Sequence, residues 1–467
     1  MSNNKYDLGL IGLGTMGKNL LMNMVDNGFE VAGYDKDTTK VDSLEDEDGD
    51  IYGAKTVEEF IGVLEKPRRI FLLVPAGKIV DYVIADLVPH LEKGDIIMDG
   101  GNSFFQDTMR RQKELDEKGI HFLGIGVSGG AEGARRGPSM MPGGNRTAYN
   151  KVKPIMEAVA AKVGKQPCVT YLGEGGVGHF VKMVHNGIEY GMMQLLAEAY
   201  DVMHRGLKME NSAIQAAFEE WNNKELRSFL VEITAEIFKA KDNLGKGDLI
   251  DVIMDKGKQK GTGKWTSQEA LDLGAAVPTI DLAVIARVVS ALKTERVAAS
   301  EILTGPDVPI KKDAKTMVRR IKNATLFSFI MSYAQGMAMM KSGSEEYGFN
   351  LDFEGVARIW RGGCIVRSKL LEDFRRAYKK DAQLPNLLVD ERIAKVVNKT
   401  QKDTRTVITE AVKAGIPVPC LMASLSYFDS YRSARLPMNL VQAQRDNFGS
   451  HTYERLDKEG TFHYDWV

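Results

Sequence analysis

The 467-residue chain is poor in cysteine: it has three, at Cys168, Cys364 and Cys420, and they are widely separated. It contains no Cys-x-x-Cys pair and no cysteine–histidine spacing typical of a zinc site. These absences exclude a disulfide-rich secreted scaffold. We therefore expect a reduced, cytoplasmic protein that works without a metal.

The chain also lacks net charge, because 62 lysines and arginines balance 63 aspartates and glutamates to a formal charge of −1. It has no overall field that would attract nucleic acid or an anionic membrane. No apolar run approaches the roughly 20 residues that span a bilayer. Lys5 and Asp7 interrupt the N-terminus, so we expect no signal peptide. Nucleic acid and membrane are therefore excluded as partners.

The first third of the chain alternates short apolar runs with helical stretches, the runs lying at 7–13, 30–34, 70–74, 95–99 and 120–125. Such alternation is typical of a parallel, doubly wound sheet. A Pro/Gly-rich stretch at 165–178 ends this pattern. Long amphipathic segments follow, at 179–205, 212–240, 281–301 and 315–342. The sequence predicts an α/β Rossmann-type domain (1–177), a large all-α domain (178–435) and a short C-terminal tail (436–467).

A glycine-rich turn follows the first apolar run and opens a helical stretch, Gly12-Leu13-Gly14-Thr15-Met16-Gly17. In this context Gly12 permits a tight turn, Gly14 lets the backbone approach a pyrophosphate, and Gly17 allows close helix–sheet packing. Free N–H groups at the helix start would face the phosphates. The turn predicts a dinucleotide site, with a simple strand–helix connection as the alternative.

Asp35 ends the second apolar run, at about the 20-residue distance expected for an acid that binds the ribose 2′-hydroxyl. Its carboxylate would accept a hydrogen bond from that hydroxyl and repel the 2′-phosphate of NADP. Lys36 could attract the phosphate, but Asp37 follows it. Two carboxylates around one lysine favour NAD. The alternative is that Asp35 only starts a turn.

The segment around Lys182 places four different polar groups on one face of a helix. At about 100° per residue, Lys182, His185, Asn186 and Glu189 share a face that we expect to look into solvent or a cleft. Gly178, one turn earlier, would leave space for a flat ring. Hydride chemistry on an alcohol needs a proton acceptor and a proton donor, which a lysine of lowered pKa and a glutamate of raised pKa supply. The alternative is a solvated face with a Lys/Glu pair.

Three further glycine-rich segments carry polar groups. The loops at 99–103 and 127–130 follow strands and offer Asn102 and Ser128 to a carboxylate or hydroxyls. The cluster at 256–265 interleaves lysines with glycines but lacks the Walker spacing, so it does not predict a nucleoside triphosphate site. It suits a phosphomonoester. Simple turns, and a solvated basic loop, remain the alternatives.

Together these motifs closely resemble the 6-phosphogluconate dehydrogenase family. The most specific blocks are GHFVKMVHNGIEYGMMQL and QKGTGKW, joined by GLGTMG, KPRRIFLLV, DGGNS, GVSGGAEGARRGPSMMPGG, AFEEWN, IWRGGCIVRS and NLVQAQRDNFGSHTYER. The resemblance covers nearly the whole chain. It implies an oxidoreductase of the pentose phosphate pathway that oxidises 6-phospho-D-gluconate at C3, releases CO2 and forms ribulose 5-phosphate, with no metal.

The resemblance also implies residue roles, with Lys182 as general base and acid and Glu189 as general acid at C1. Coenzyme contacts would be Gly12, Leu13, Gly14, Thr15, Met16, Gly17, Asp35, Lys36, Val74, Ala76 and Asn102. Contacts to the substrate carboxylate and hydroxyls would be Asn102, Ser128, Gly129, Gly130, His185 and Asn186. Phosphate contacts would be Tyr190, Lys260, Thr262 and Arg287, with Arg445 and His451 contributed by the tail of a second copy. The implied assembly is a homodimer with tail exchange.

Three positions depart from most long-chain members of the family. Asp35-Lys36-Asp37 stands where those members have Asn-Arg-Thr, whose arginine grips the NADP 2′-phosphate. Pro75 replaces a lysine, and Lys258 replaces a small residue. We therefore expect NAD to be preferred over NADP. Two other functions stay open: a β-hydroxyacid dehydrogenase acting on a non-phosphorylated 3-hydroxy acid, and a catalytically silent NAD-binding protein.

Overall fold

The computed structural model describes residues 5–259 and 261–466. Lys260, one of the predicted phosphate contacts, lies outside these residues. No helix in the described ranges combines the length and the apolar character needed to cross a membrane.

A twisted sheet forms the first part of the fold. Its strands are β1 (Leu8–Ile11), β2 (Val31–Tyr34), β3 (Ile51–Ala54), β4 (Arg69–Leu72), β5 (Ile96–Asp99), β6 (His121–Ser128) and β7 (Ser139–Gly144). They lie in the order β3-β2-β1-β4-β5-β6-β7, and every pairing is parallel except that of β6 with β7. The predicted Rossmann-type sheet is confirmed. The strands β3 and β7 were not predicted. Pro142 and two glycines are atypical of a strand, but β7 lies at the edge of the sheet, where a proline is tolerated.

Helices cover both faces of this sheet. They are α1 (Thr15–Asp26), α2 (Thr38–Asp42), α3 (Val57–Gly62), α4 (Lys78–Leu87), α5 (Phe105–Asp116), α6 (Gly130–Arg136) and α7 (Arg146–Val159). A 3-10 turn (Val88–His90) follows α4, and a small hairpin of β8 (Lys162–Val163) and β9 (Gln166–Pro167) follows α7. Successive strand residues point to opposite faces, so Leu10 and Ile11 belong to different hydrophobic clusters.

The second part of the fold is helical. It contains α8 (Val177–Asp201), α9 (Asn211–Asn222), α10 (Phe229–Ile237), α11 (Leu249–Val252), α12 (Thr262–Asp272), α13 (Pro278–Ala291), α14 (Lys293–Ile302), α15 (Ala314–Glu346), α16 (Phe353–Ile359), α17 (Leu370–Lys380), α18 (Glu391–Ala414) and α19 (Pro419–Tyr431). A π-helical turn (Val202–Gly206) extends α8, and a 3-10 turn (Leu387–Val389) precedes α18. The predicted segments 212–240 and 281–301 are each two helices, because Ser228 caps α10 and the chain turns at Leu292. The all-α character is confirmed.

The last described residues form a small unit of their own. It consists of α20 (Met438–Gly449) and a hairpin of β10 (Tyr453–Glu454) and β11 (Thr461–Phe462). Apart from Asp446, its side chains are exposed or partly exposed. This tail unit therefore adds little to the core of its own chain.

Candidate active site

A cleft of about 1090 Å³ opens at the carboxyl ends of the parallel strands. This is where such sheets bind ligands. Its walls include the glycine turn, the loops after β4 and β5, and, from the helical part, Thr262 and Trp265. Of the predicted coenzyme contacts it is lined by Gly12, Gly14, Thr15, Met16, Gly17, Asp35, Lys36, Val74, Ala76 and Asn102. The cleft is large enough, and suitably placed, for a dinucleotide.

The glycines of the turn have separate tasks. Gly12 has φ +97°, and a Cβ there would lie 2.5 Å from the Leu73 carbonyl oxygen. A Cβ on Gly17 would lie 1.7 Å from the Gly12 carbonyl oxygen, so α1 can start only with glycine at that position. Gly14 has open space on its Cβ side. Gly12 and Gly17 thus shape the turn, and Gly14 leaves the backbone accessible to a pyrophosphate.

Asp35 is anchored at the far end of the cleft. Its Oδ2 accepts a hydrogen bond from the Leu13 N–H at 2.7 Å, and its Oδ1 accepts one from the Asp37 N–H at 2.9 Å. Leu13 itself is buried and is not part of the cleft wall, so it contributes its backbone and not its side chain. Lys40 Nζ lies 3.5 Å from the Asp35 carboxylate. Lys40 Nζ is within reach of both carboxylate oxygens, so a ribose hydroxyl that donates to Asp35 would share the carboxylate with this lysine.

Lys36 does not stand free to meet a phosphate. Its Nζ lies 3.6 Å from an Asp86 carboxylate oxygen, and Asp86 also lines the cleft. Lys36 and Lys40 are therefore both paired with carboxylates. Three carboxylates, those of Asp35, Asp37 and Asp86, surround these two lysines. Asp86 was not predicted from the sequence, because it lies on α4, far along the chain from the glycine turn.

Lys182 lies on α8, directly against β6. A Cβ on Gly126 of that strand would be 2.5 Å from the Lys182 Cβ, so glycine makes room for the lysine. The lysine is buried, with 6% of its surface exposed. Burial lowers the pKa of Lys182, against the opposing effects of Glu189 and Cys364. A lysine with a lowered pKa can be neutral, and hence a base, near physiological pH.

Glu189 lies two turns further along α8. Burial raises the pKa of Glu189, while Lys182 and Arg287 oppose this change. The side chain keeps 22% of its surface exposed, so it can still reach a bound molecule. Both pKa directions are those that a lysine base and a glutamic acid require.

His185 and its partners form a buried polar group beside Lys182. His185 Nε2 lies 3.2 Å from Ser128 Oγ, and its Nδ1 lies 3.1 Å from Asn186 Oδ1. The Trp360 ring packs edge-on against the imidazole at 5.4 Å. Burial, followed by the charge of Lys182, holds the pKa of His185 well below its usual value, against the hydrogen bond to Asn186 Oδ1. A neutral imidazole can hydrogen-bond hydroxyls without adding charge.

Of the two expected surroundings of this face of α8, solvent or a cleft, the structure excludes bulk solvent for Lys182, His185 and Asn186. Every residue from Val177 to Ile188 is buried, because β6, β7, α12, α13 and α15 surround the helix. Gly178 does not make room for a ring either. A Cβ there would lie 2.2 Å from the Gly124 carbonyl oxygen and 2.3 Å from that of Met141, so this glycine allows the helix to pack onto the sheet.

Three of the predicted phosphate contacts, Tyr190, Thr262 and Arg287, lie close together in the helical part. The Arg287 guanidinium carbon lies 3.4 Å from the Tyr190 ring centroid. A Cβ on Gly263 would lie 2.4 Å from the other side of that ring, so α12 packs closely against it. Thr262, the first residue of α12, is buried at the cleft. Arg287 also donates a hydrogen bond to the Lys258 carbonyl oxygen at 3.2 Å, which fixes its direction.

The loops at 99–103 and 127–130 complete the site on the side of the sheet. Asp99 accepts hydrogen bonds from the Gly101 N–H and the Ser103 hydroxyl, and so holds exposed Asn102 at the cleft. Gly129 has φ +120°, and a Cβ there would lie 2.7 Å from the Gly363 carbonyl oxygen. Gly130 starts α6 with φ +65° and open space beside it.

Three aromatic residues of the site, Phe104, Trp265 and Trp360, were not predicted from the sequence. Phe104 and Trp265 both line the cleft, with ring centroids 5.3 Å apart across the boundary between the sheet and helical parts. Trp360 covers His185. Trp265 and Trp360 do fall inside motif blocks, QKGTGKW and IWRGGCIVRS, which was the available signal.

Arg445 and His451 do not reach this site within one chain. Among the described residues, the hydrogen bonds and ion pairs made by side chains of 437–466 all stay inside the tail unit. In the same described ranges, no three His, Cys, Asp or Glu side chains are placed to hold a metal ion.

Known proteins that are similar to this chain identify its family. Residues 7–173 match the NAD binding domain of 6-phosphogluconate dehydrogenase, and residues 178–466 match its C-terminal domain. A decarboxylating 6-phosphogluconate dehydrogenase from Lactococcus lactis subsp. lactis is 52% identical, with 98% of both chains covered. An NADP(+)-dependent decarboxylating relative from Bacillus subtilis is 51% identical, with 99% of both covered.

A solved structure agrees with these relatives. The 6-phosphogluconate dehydrogenase of Plasmodium falciparum, solved in its apo form and in complex with its cofactor NADP+ and its substrate 6-phosphogluconate, superposes with a TM-score of 0.95. It is 44% identical and covers 98% of this chain and 100% of its own. The chain belongs to the 6-phosphogluconate dehydrogenase family and is an oxidoreductase with an NAD(P)-binding domain.

Proposed function

We propose that this protein oxidises 6-phospho-D-gluconate at C3 and decarboxylates it to ribulose 5-phosphate and CO2, with hydride transfer to NAD(P). The observation that carries the proposal is the Lys182/Glu189 pair on α8, in which burial lowers the pKa of the lysine and raises that of the glutamate. Relatives that bear this activity in their names match the chain from end to end.

Lys182 starts the reaction as a neutral amine and takes the proton of the C3 hydroxyl. The nicotinamide ring accepts the hydride from C3 when the coenzyme is bound. Lys182, now an ammonium, then returns its proton to the C3 oxygen as the β-keto acid loses CO2. The keto group is itself the electron sink, so a proton donor near C3 suffices for the decarboxylation.

Glu189 completes the reaction by protonating C1 of the resulting enediol. It must be a carboxylic acid at that moment, and its raised pKa supplies that form. His185, Asn186 and Ser128 would hold the carboxylate and hydroxyls of the substrate, with Asn102, Gly129 and Gly130.

Tyr190, Thr262, Lys260 and Arg287 would hold the phosphate, and a second copy of the chain would complete that site with Arg445 and His451. Exposed apolar side chains on α13 and α14 support such a copy: Ile285, Val288, Leu292, Val297 and Ile302. Arg287 lies among them on α13, so a chain docked on this face would deliver its tail beside the phosphate pocket. The proposed units are 1–177, 178–435 and the exchanged tail 436–467.

NAD is the preferred coenzyme in this proposal. Asp35 offers its carboxylate to the ribose hydroxyls, and Lys36 and Lys40 are neutralised by acidic neighbours. A 2′-phosphate would meet an excess of negative charge there.

Absorbance at 340 nm tests the proposal, with NAD or NADP and either 6-phosphogluconate or unphosphorylated gluconate. We expect turnover with 6-phosphogluconate and a larger kcat/KM with NAD. Lys182→Met should abolish turnover and leave coenzyme binding unchanged, whereas Lys402→Met, at an exposed position of α18, should be silent. Equal turnover of gluconate would favour a β-hydroxyacid dehydrogenase of another specificity, and no turnover would favour a silent NAD-binding protein. A larger kcat/KM with NADP would reject only the coenzyme preference.

A further inference from the structure

Asp446 is the only fully buried residue of the otherwise exposed tail unit within the described part of the chain. Its carboxylate accepts four hydrogen bonds. Oδ1 accepts from the Thr452 N–H at 2.9 Å and faces His463 Nδ1 at 2.8 Å. Oδ2 accepts from the Tyr464 N–H at 3.1 Å and from Trp466 Nε1 at 2.9 Å.

These partners keep the carboxylate ionised. Burial alone would raise the pKa of Asp446, but the hydrogen bonds from His463 and Trp466 and from two backbone N–H groups outweigh it and lower the pKa to about 2. A charged acceptor makes stronger hydrogen bonds than a neutral one. Asp446 therefore joins the end of α20 to the last residues of the chain.

The backbone on both sides of His451 is strained. Ser450 has φ +50° and Thr452 has φ +59°, in the left-handed region that glycine favours. Ser450 ends α20, and its N–H donates to the Asp446 carbonyl oxygen. Thr452 is β-branched, which makes its conformation the more costly one. It is held there by the bond from its N–H to the Asp446 carboxylate.

This turn brings His451 to the side of α20 that carries Arg445. A Cβ on Gly449 would lie 2.7 Å from His451 Nε2, so the imidazole lies over that glycine. Gly449 is four residues after Arg445 and shares its helix face. Gln442 connects Arg445 to this turn. It accepts a hydrogen bond from Arg445 and donates one to the Thr452 carbonyl oxygen.

We infer that Asp446 is a positioning residue for the substrate phosphate: it holds the strained turn that sets Arg445 and His451 side by side before the tail docks on a second copy. The inference rests on the proposed function, in which these two side chains complete the phosphate site. It adds that their arrangement is built within the tail itself and is not induced by the partner. Preorganised cations lose less conformational entropy when the anion binds.

Steady-state kinetics of Asp446→Asn test this. The asparagine keeps the shape but presents an N–H₂ group to donors that need an acceptor. We expect KM for 6-phosphogluconate, and the inhibition constant of inorganic phosphate, to rise about tenfold or more, which corresponds to about 1.4 kcal/mol. The KM for the coenzyme should change by no more than about twofold, much less than the KM for 6-phosphogluconate. Sedimentation should still show the dimer. The matched control is Asp457→Asn, an exposed tail carboxylate that pairs with Arg455, and it should be silent.

A second variant separates positioning from general damage. Thr452→Gly relieves the backbone strain, so combining it with Asp446→Asn should restore several-fold of the lost substrate affinity. A structural role alone predicts no such rescue.

The same kinetics with Arg445→Met distinguish a failure of the positioning role from a failure of the proposed phosphate site. If Arg445→Met raises the substrate KM but Asp446→Asn does not, the positioning role is wrong and the proposed function stands. If Arg445→Met is silent as well, the proposed phosphate site itself is wrong. Loss of the dimer in Asp446→Asn would show that the residue maintains the assembly, and would also overturn the inference.

Discussion

The guanidinium group of Arg287 lies over the ring of Tyr190, with its central carbon 3.4 Å from the ring centroid. This cation–π contact and the hydrogen bond to the Lys258 carbonyl oxygen restrain the guanidinium beside Tyr190. The proposed phosphate site thus combines α13 with α8, the helix that carries Lys182 and Glu189.

Replacing Arg287 should weaken substrate binding more than catalysis. Arg287→Lys keeps the charge but loses the planar fork, so we expect KM for 6-phosphogluconate to rise about tenfold, the equivalent of about 1.4 kcal/mol, with a smaller change in kcat. Arg205→Lys, an exposed ion pair with Asp201, is the control and should leave KM unchanged. An unchanged KM in Arg287→Lys would remove Arg287 from the phosphate site.

The pH dependence of kcat should be bell-shaped. Activity needs neutral Lys182, so it rises with pH through the lowered lysine pKa, and it needs protonated Glu189, so it falls as pH passes the raised glutamate pKa. Glu189→Gln is neutral at every pH and should abolish the alkaline fall while kcat drops by about 100-fold or more. Loss of the acidic limb instead would contradict the assigned roles.

Coenzyme choice should depend on Asp35. Asp35→Asn removes a negative charge but keeps the shape, so the ratio of kcat/KM for NAD to that for NADP should fall about tenfold, about 1.4 kcal/mol of discrimination. Asp42→Asn, which removes an exposed carboxylate paired with Lys55, serves as the control. A ratio insensitive to Asp35 would place the determinant elsewhere in the cleft.

Gly178 should matter for stability because α8 crosses the sheet there at van der Waals distance. Gly178→Ala pushes a Cβ against two backbone carbonyl oxygens, and we expect the free energy of unfolding to drop by about 1–3 kcal/mol in urea titrations. Gly62→Ala has open space on α3 and should not destabilise the protein. Equal stability of both variants would mean that the helix and sheet are less tightly packed.

The sequence predicted what local patterns encode. The glycine turn, the predicted parallel strands and the polar set on α8 are visible because strand and helix periods and turn residues are local properties. The burial of that polar set was not predictable, since it depends on Ser128 from β6 and Trp360 after α16, distant in the chain. A helical wheel separates apolar from polar faces but does not say that other elements enclose both.

Tail exchange can be tested by mixing two defective chains. Lys182→Ala lacks the base and Arg445→Met lacks the tail cation, so each homodimer should be nearly inactive. If the tail acts on the other subunit, each heterodimer has one complete site, and co-expression should restore about a quarter of the wild-type activity. A tail that served its own chain would restore none.

The central claim is that oxidation at C3 leads to loss of CO2 in the same active site. The most direct measurement is the ratio of reduced coenzyme to released CO2 in a single reaction with 6-phosphogluconate. The proposed roles of Lys182 and Glu189 predict equal amounts of the two, with ribulose 5-phosphate as the sugar product. Coenzyme reduction without CO2 would contradict the account.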